Sequence, residues 1–206
     1  DDEKPLVWKY RDYVIRAFNQ DKPYDRFILE QIAGDELPDV DNDSLIATGF
    51  YRLGVWDDEP DDKRLAEFDG LDDMVKTTSE TFMGLTVGCA RCHDHMFDPI
   101  SQQDYYEMLS FFRNVRYYDK PKYEWDSATY SPLIPPIDVF KWQNNKNKPK
   151  DAKPPWNKNE FAMTVREHGA TPKDTHLLIR GDAGRPSKKV EPEFLKVLSE
   201  GKPKAT

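Results

Sequence analysis

The stretch "GLTVGCARCHDHMFDPIS", residues 84–101, holds both cysteines of the chain and two of its four histidines. The spacing Cys89-x-x-Cys92-His93 carries a definite chemistry. Two thiols on one local turn can reach the two vinyl groups of a haem as thioethers, and an imidazole directly after them can bind the iron. The reading is a covalently attached haem c, with Cys89 and Cys92 as thioether residues and His93 as the proximal iron ligand. The sixth ligand then sets the function: a Met or His favours electron transfer, an open position favours small-molecule binding or oxidation. His176 is the first candidate for that distal position and Met163 the alternative. Both lie far along the chain, on segments able to fold over the opposite face. His95 sits two residues from His93 and cannot easily reach that face. It is expected to bond to a haem propionate, or to a carboxylate such as Asp94 or Asp98. Arg180 is a further candidate for a propionate, and with His176 it makes the only distal acid–base set in sight.

Other chemistries compete for the same residues. A structural zinc site needs about four protein ligands, and Cys89, Cys92, His93 and His95 could supply them, although ligands so close in sequence are crowded. A thioredoxin-like redox pair wants a strand before the motif and a helix starting within it. Here a helix precedes the motif and a loop follows. A pair of buried free thiols would be packing without chemistry.

The elements that must position these residues are mainly helical. Tyr10, Val14, Ala17 and Phe18 recur at helical spacing over 8–19. "DKPYDRFILEQIAG" reads as a second helix, with Pro23 in the first turn, a stripe of Phe27, Ile28, Gln31 and Ile32, and Gly34 just past the end. A short helix is expected over 44–51 and a longer one over 71–85, the latter ending just before the cysteines. "SQQD" at 101–104 is a capping box with Asp in the third position. It launches a helix over 105–115 that is apolar nearly all round, so that helix should be buried or face something as large as a haem. Prolines interleaved with Lys and Asn mark 119–160 as a connector. "FAMTV" and "THLLIRG", either side of Gly169 and Pro172, suggest two short strands. The expected fold is therefore mainly α: a helical c-type haem domain over 1–118, a connector over 119–160, and the start of a second domain over 161–206 with a small β-hairpin.

Composition narrows the function classes. The 206 residues are 37% hydrophobic and 33% charged, so the 5 Trp, 10 Tyr and 11 Phe must supply much of the core. The net charge of -8 argues against nucleic acid and suits docking to a basic partner. No run approaches the roughly 18 apolar residues of a membrane span. The opening "DDEKPLVW" is neither a leader nor a start at Met, so a processed or partial chain is expected. Thioether attachment takes place outside the cytoplasm, which implies a periplasmic, cell-surface or secreted location. "DVDND" at 39–43 lacks the glycine and closing glutamate of a calcium loop, and "WDDEPDD" reads as a solvated loop.

The motif stretch, together with "RDYVIRAFNQDKPYDRFILEQIAGDELP" and "THLLIRGD", closely resembles a family of planctomycete cytochrome-c-like proteins, which are large, secreted and built from paired domains of unknown function. The resemblance runs over about 8–118 and 161–198. It implies that the family's haem residues fall on Cys89, Cys92 and His93, and that family-typical residues fall on Asp72, Asp73, Asp94, His95, Asp98, His176 and Arg180. Met96 stands where the family usually has lysine. Family members continue beyond both ends, so the chain is expected to be one fragment of a longer polypeptide, its core completed by other fragments. The resemblance supplies no reaction. The expected function is an extracytoplasmic monohaem c-type cytochrome, more an electron carrier than an enzyme. Its partners would be a redox protein or the haems of neighbouring subunits in a homo- or hetero-oligomer. The alternatives are a peroxidase- or oxidase-like haem enzyme with an open distal site, and a structural module stapled by covalent haem.

Overall fold

The structure is a computed structural model and describes residues 4–57, 59–117, 130–133, 145–147, 149 and 160–199. The chain divides into two compact units, each built from two separate stretches: Asp1–Asp58 with Tyr118–Arg166, and Glu59–Tyr117 with Glu167–Thr206. This differs from the linear partition at 118 and 160. The physical reason is that each late segment returns to pack against an early one. Most of the expected connector lies outside the described residues.

In the first unit, α1 (Trp8–Asn19) and α2 (Tyr24–Ala33) form where the apolar spacing predicts them. Tyr13 and Phe27 stack across them with ring centroids 5.9 Å apart. α3 (Asn42–Ala47) starts from a reciprocal cap, in which Asp41 accepts from the Ser44 backbone and the Ser44 hydroxyl accepts from Asp41 N. The "DVDND" carboxylates are thereby accounted for. Asp41 is the cap, Asp39 pairs with Arg26 at 3.0 Å, and Asp43 pairs with Arg16 at 2.5 Å. β1 (Tyr130–Pro132) and β2 (Phe161–Met163) pair antiparallel and place Ala162 in a core with Tyr13, Ala17, Ile46 and Ala47.

The second unit is organised around α5. α4 (Lys63–Thr78) begins well before the expected 71, because the Asp62 carboxylate accepts from the Arg64 and Leu65 backbone N–H groups and caps it. Its end widens into a π turn, Ser79–Met83, closed by Gly84 at φ 67°. α5 (Gln102–Phe112) carries the expected Ser101–Asp104 capping box. Tyr105, Tyr106, Met108, Leu109 and Phe112 of α5 are all buried. α4, the 3-10 turn Val87–Arg91 and a hairpin of β3 (Thr175–Leu178) with β4 (Pro186–Val190) pack around it. The large object that this helix needs is therefore the protein itself. The two expected strands also do not pair with each other. β2 joins β1 in the first unit and β3 joins β4 in the second, because each buries its apolar residues in a different core.

Both units contain buried carboxylates held as anions. Burial pushes Glu30 up, but hydrogen bonds from Arg26, Lys22 and Tyr13 outweigh it and leave its pKa below the ordinary 4.5. Asp104 is likewise pushed up by burial, then carried below 3.8 by the Ser101 hydroxyl and backbone and by Lys196. A depressed carboxyl pKa stabilises the fold above the unfolded value and loses that contribution as pH falls through the folded one. Stability should therefore hold steady from neutral pH down to about 5 and decline below about 4.5, first through Glu30 and then through Asp104. Urea midpoints measured across that range check this, and a flat profile down to pH 3 would contradict it.

Candidate functional site

The Cys89–Cys92 turn is the 3-10 segment Val87–Arg91 and the residue after it. Val87 and Ala90 are fully buried and anchor the turn against α4 and α5, while Cys89 and Cys92 are exposed free thiols. Arg91, between them, is held at both ends. Its guanidinium pairs with Asp69 at 2.8 Å and Asp72 at 3.2 Å. Its carbonyl accepts from Gln102 Nε2 at 2.9 Å and from the Tyr106 hydroxyl at 3.0 Å. Gln102 Nε2 donates at 3.0 Å to Leu178 O as well, which ties the turn to β3. Asp72 further accepts from the Tyr105 hydroxyl at 2.6 Å and pairs with Lys76 at 2.8 Å. Burial, and then the Asp72 charge, push the Tyr105 phenol far up, so it remains a donor.

His93 follows, exposed, with Nδ1 2.7 Å from the Asp94 carbonyl. A carbonyl can only accept, so Nδ1 carries the proton and Nε2 is left with an open lone pair. The Asp94 carboxylate in turn accepts from Gln102 N at 2.8 Å, which fastens this residue to the start of α5. His95 has the opposite character. Its Nδ1 accepts from Phe97 N at 3.2 Å and Asp98 N at 2.8 Å, so Nε2 must carry the proton and donate to Thr86 Oγ1 at 3.0 Å. Both nitrogens are committed to holding the loop. The sequence suggested a bond from His95 to a carboxylate such as that of Asp98; the structure instead has His95 accept from the Asp98 backbone, with the Asp98 carboxylate 3.5 Å from Nδ1.

The hairpin reaches the motif at Gly181, which has φ 71°. A Cβ there would lie 2.7 Å from Cys92 Sγ, so only glycine fits both the backbone and the approach. The preceding residue, Arg180, is also left-handed at φ 56° and is exposed. Met96 and Phe97 are 75% and 86% exposed, an unusual state for adjacent large apolar side chains. His176 lies on β3 in the same unit and lines a cleft with Arg64, Phe68 and Arg113, whose walls include none of residues 89–93. Met163 is buried in β2 of the first unit.

A haem is the implied group, and the residues present fit it. Two exposed thiols stand three apart on a rigid turn, an adjacent imidazole presents its lone pair from Nε2, and bare apolar side chains lie beside it. They fit zinc less well, because His95 has no lone pair to give. Arg91, Asp72, Gln102, Tyr106 and Gly181, which build this geometry, carry no local chemical signature. Gln102 could be seen only as a capping-box neighbour, since its partner Leu178 lies 76 residues away.

Fold and site together define a mainly helical protein that presents two thiols and an oriented imidazole on one surface loop. The chain belongs to the family described as PSCyt2, protein of unknown function (DUF1549), whose profile matches residues 1–117 and so spans α1 to α5 and the motif. No curated protein and no solved structure matches the chain.

Proposed function

We propose that the second unit is a c-type haem site, with Cys89 and Cys92 as thioether residues and His93 Nε2 as the proximal iron ligand, in an extracytoplasmic electron carrier. The observation that carries this reading is the His93 Nδ1–H bond to the Asp94 carbonyl. Ligating histidines commonly donate their other ring N–H to a carbonyl or carboxylate, which fixes the tautomer and raises the basicity of the metal-binding nitrogen. A haem held there would supply a one-electron iron couple. The chain's own residues would do the rest. Met96 and Phe97 would cover the porphyrin edge, Arg180 would meet a propionate, and Gly181 would leave room at Cys92 Sγ. The rigid mounting of Arg91 favours electron transfer over the staple reading, since the turn is already held by protein contacts. The net charge of -8 suits a basic redox partner.

Two measurements on native material test this. Intact mass should exceed that of the polypeptide by one haem, and the reduced protein should give the sharp visible bands of a thioether-linked low-spin haem. The bare polypeptide mass would overturn the reading. A haem adduct that is high-spin and binds carbon monoxide at once would turn it toward the enzyme alternative.

A further inference from the structure

The cleft that contains His176 has a composition that haem attachment does not use. It encloses about 360 Å³ within the second unit, between α4, α5 and the β3–β4 hairpin. Phe68, Leu178 and Pro186 make part of its wall apolar, and Arg64, Arg113 and His176 line the rest together with Asp174 and Ser187. The side chain of Arg113 is 10% exposed and sits over the Phe68 ring, 5.0 Å from its centroid. Its Nη1 donates to Glu67 at 2.8 Å, while its buried Nε has no acceptor. The guanidinium of Arg64 and the imidazole of His176 face the same space with no hydrogen-bond partner among the described residues.

The charges that could cancel this are already engaged. Asp174, on the rim, pairs with Lys189 at 2.8 Å. Glu67 is shared between Arg113 and Lys173, at 2.8 and 2.7 Å. The Ser187 hydroxyl donates to Leu177 O at 3.1 Å. What remains is an unpaired Arg64, the imidazole of His176, the Arg113 guanidinium in the wall beside them, and an apolar floor. A monoanion with a planar head and a small apolar body matches that set.

We propose that this cleft is a carboxylate-binding site, in which Arg64 and His176 donate to the two oxygens, Arg113 adds its positive charge from the wall, and Phe68 and Leu178 hold the apolar body. The site stands on the second unit's own side chains and goes beyond the haem reading. It assigns His176 to the cleft and not to the iron. The carboxylate could be a free small molecule or a propionate of a haem attached at Cys89 and Cys92.

Sodium benzoate is the probe, titrated into the full native chain and into a Cys89→Ser/Cys92→Ser chain by calorimetry, with sodium chloride at matched ionic strength as the control. Binding on the order of millimolar is expected, weakened about fivefold or more by Arg64→Gln and by His176→Gln. Arg64 is exposed, so its replacement leaves the fold intact. Binding to both chains supports the site with a free carboxylate as its occupant. Binding to the double-serine chain alone supports it with the propionate as occupant. The proposal is overturned if neither chain binds benzoate beyond the chloride control, or if both variants bind as well as the parent. It is also overturned if inorganic phosphate binds more tightly than benzoate. A native chain lacking haem would undo the haem reading while leaving the benzoate result to stand on its own.

Discussion

If haem is attached as proposed, a Cys89→Ser/Cys92→Ser chain is expected to carry none of it while keeping its fold. Each single variant should retain one thioether and most of the added mass; the double variant should have the mass of the bare polypeptide. The fold prediction follows from what fixes the turn. Val87, Ala90 and Ile100 are buried beneath it, and Arg91 is held by α4 and α5 without help from either sulfur. Replacing two exposed thiols by hydroxyls removes no buried apolar surface, so the loss should be no more than about 1 kcal/mol, or about 2–4 °C in Tm for a chain of this size. Intact mass and a thermal melt on the same samples make the test. A collapse in Tm far beyond that range would show that haem staples the unit, and would revive the structural reading.

The local elements were largely legible because their signals are local. The apolar stripe and the Pro23 and Gly34 boundaries mark α2, and Ser101 with Asp104 marks the start of α5. The thiol–imidazole spacing was legible for the same reason: all of its parts lie within five residues. Two kinds of feature were not legible. The first half of α4 is charged and contains Gly70, a residue that ordinarily weakens a helix. Gly70 is present because a Cβ there would lie 2.8 Å from the Tyr117 ring, a constraint invisible until both are placed. The strand partners were hidden in a similar way. β2 can pair with any exposed edge of suitable register, and nothing in "FAMTV" names Tyr130–Pro132 as that edge. The same holds for the site. His93 was readable from sequence, but its tautomer depends on a backbone carbonyl, and the mounting of Arg91 depends on side chains from two elements, α4 and α5.

Asp72→Ala is expected to be the most destabilising single replacement around the motif, costing about 3–5 kcal/mol and lowering Tm on the order of 10 °C. The Asp72 side chain is 6% exposed and receives three donors: the Tyr105 hydroxyl at 2.6 Å, Lys76 at 2.8 Å and Arg91 at 3.2 Å. Removing it leaves the Tyr105 hydroxyl buried without its acceptor and one end of Arg91 without a counter-charge, so both the α4–α5 contact and the Cys89–Cys92 turn are released. Asp72→Asn keeps the shape and one acceptor oxygen and should cost clearly less. Asp69 supplies the control, since it pairs with the same guanidinium at 2.8 Å but is 55% exposed. Solvent already screens that pair, so Asp69→Ala should cost less than about 1 kcal/mol. Urea denaturation of the three variants gives the ranking, and amide exchange over residues 86–98 should quicken in Asp72→Ala alone. Equal losses for Asp69→Ala and Asp72→Ala would mean that the guanidinium, and not the buried acceptor, holds the turn in place.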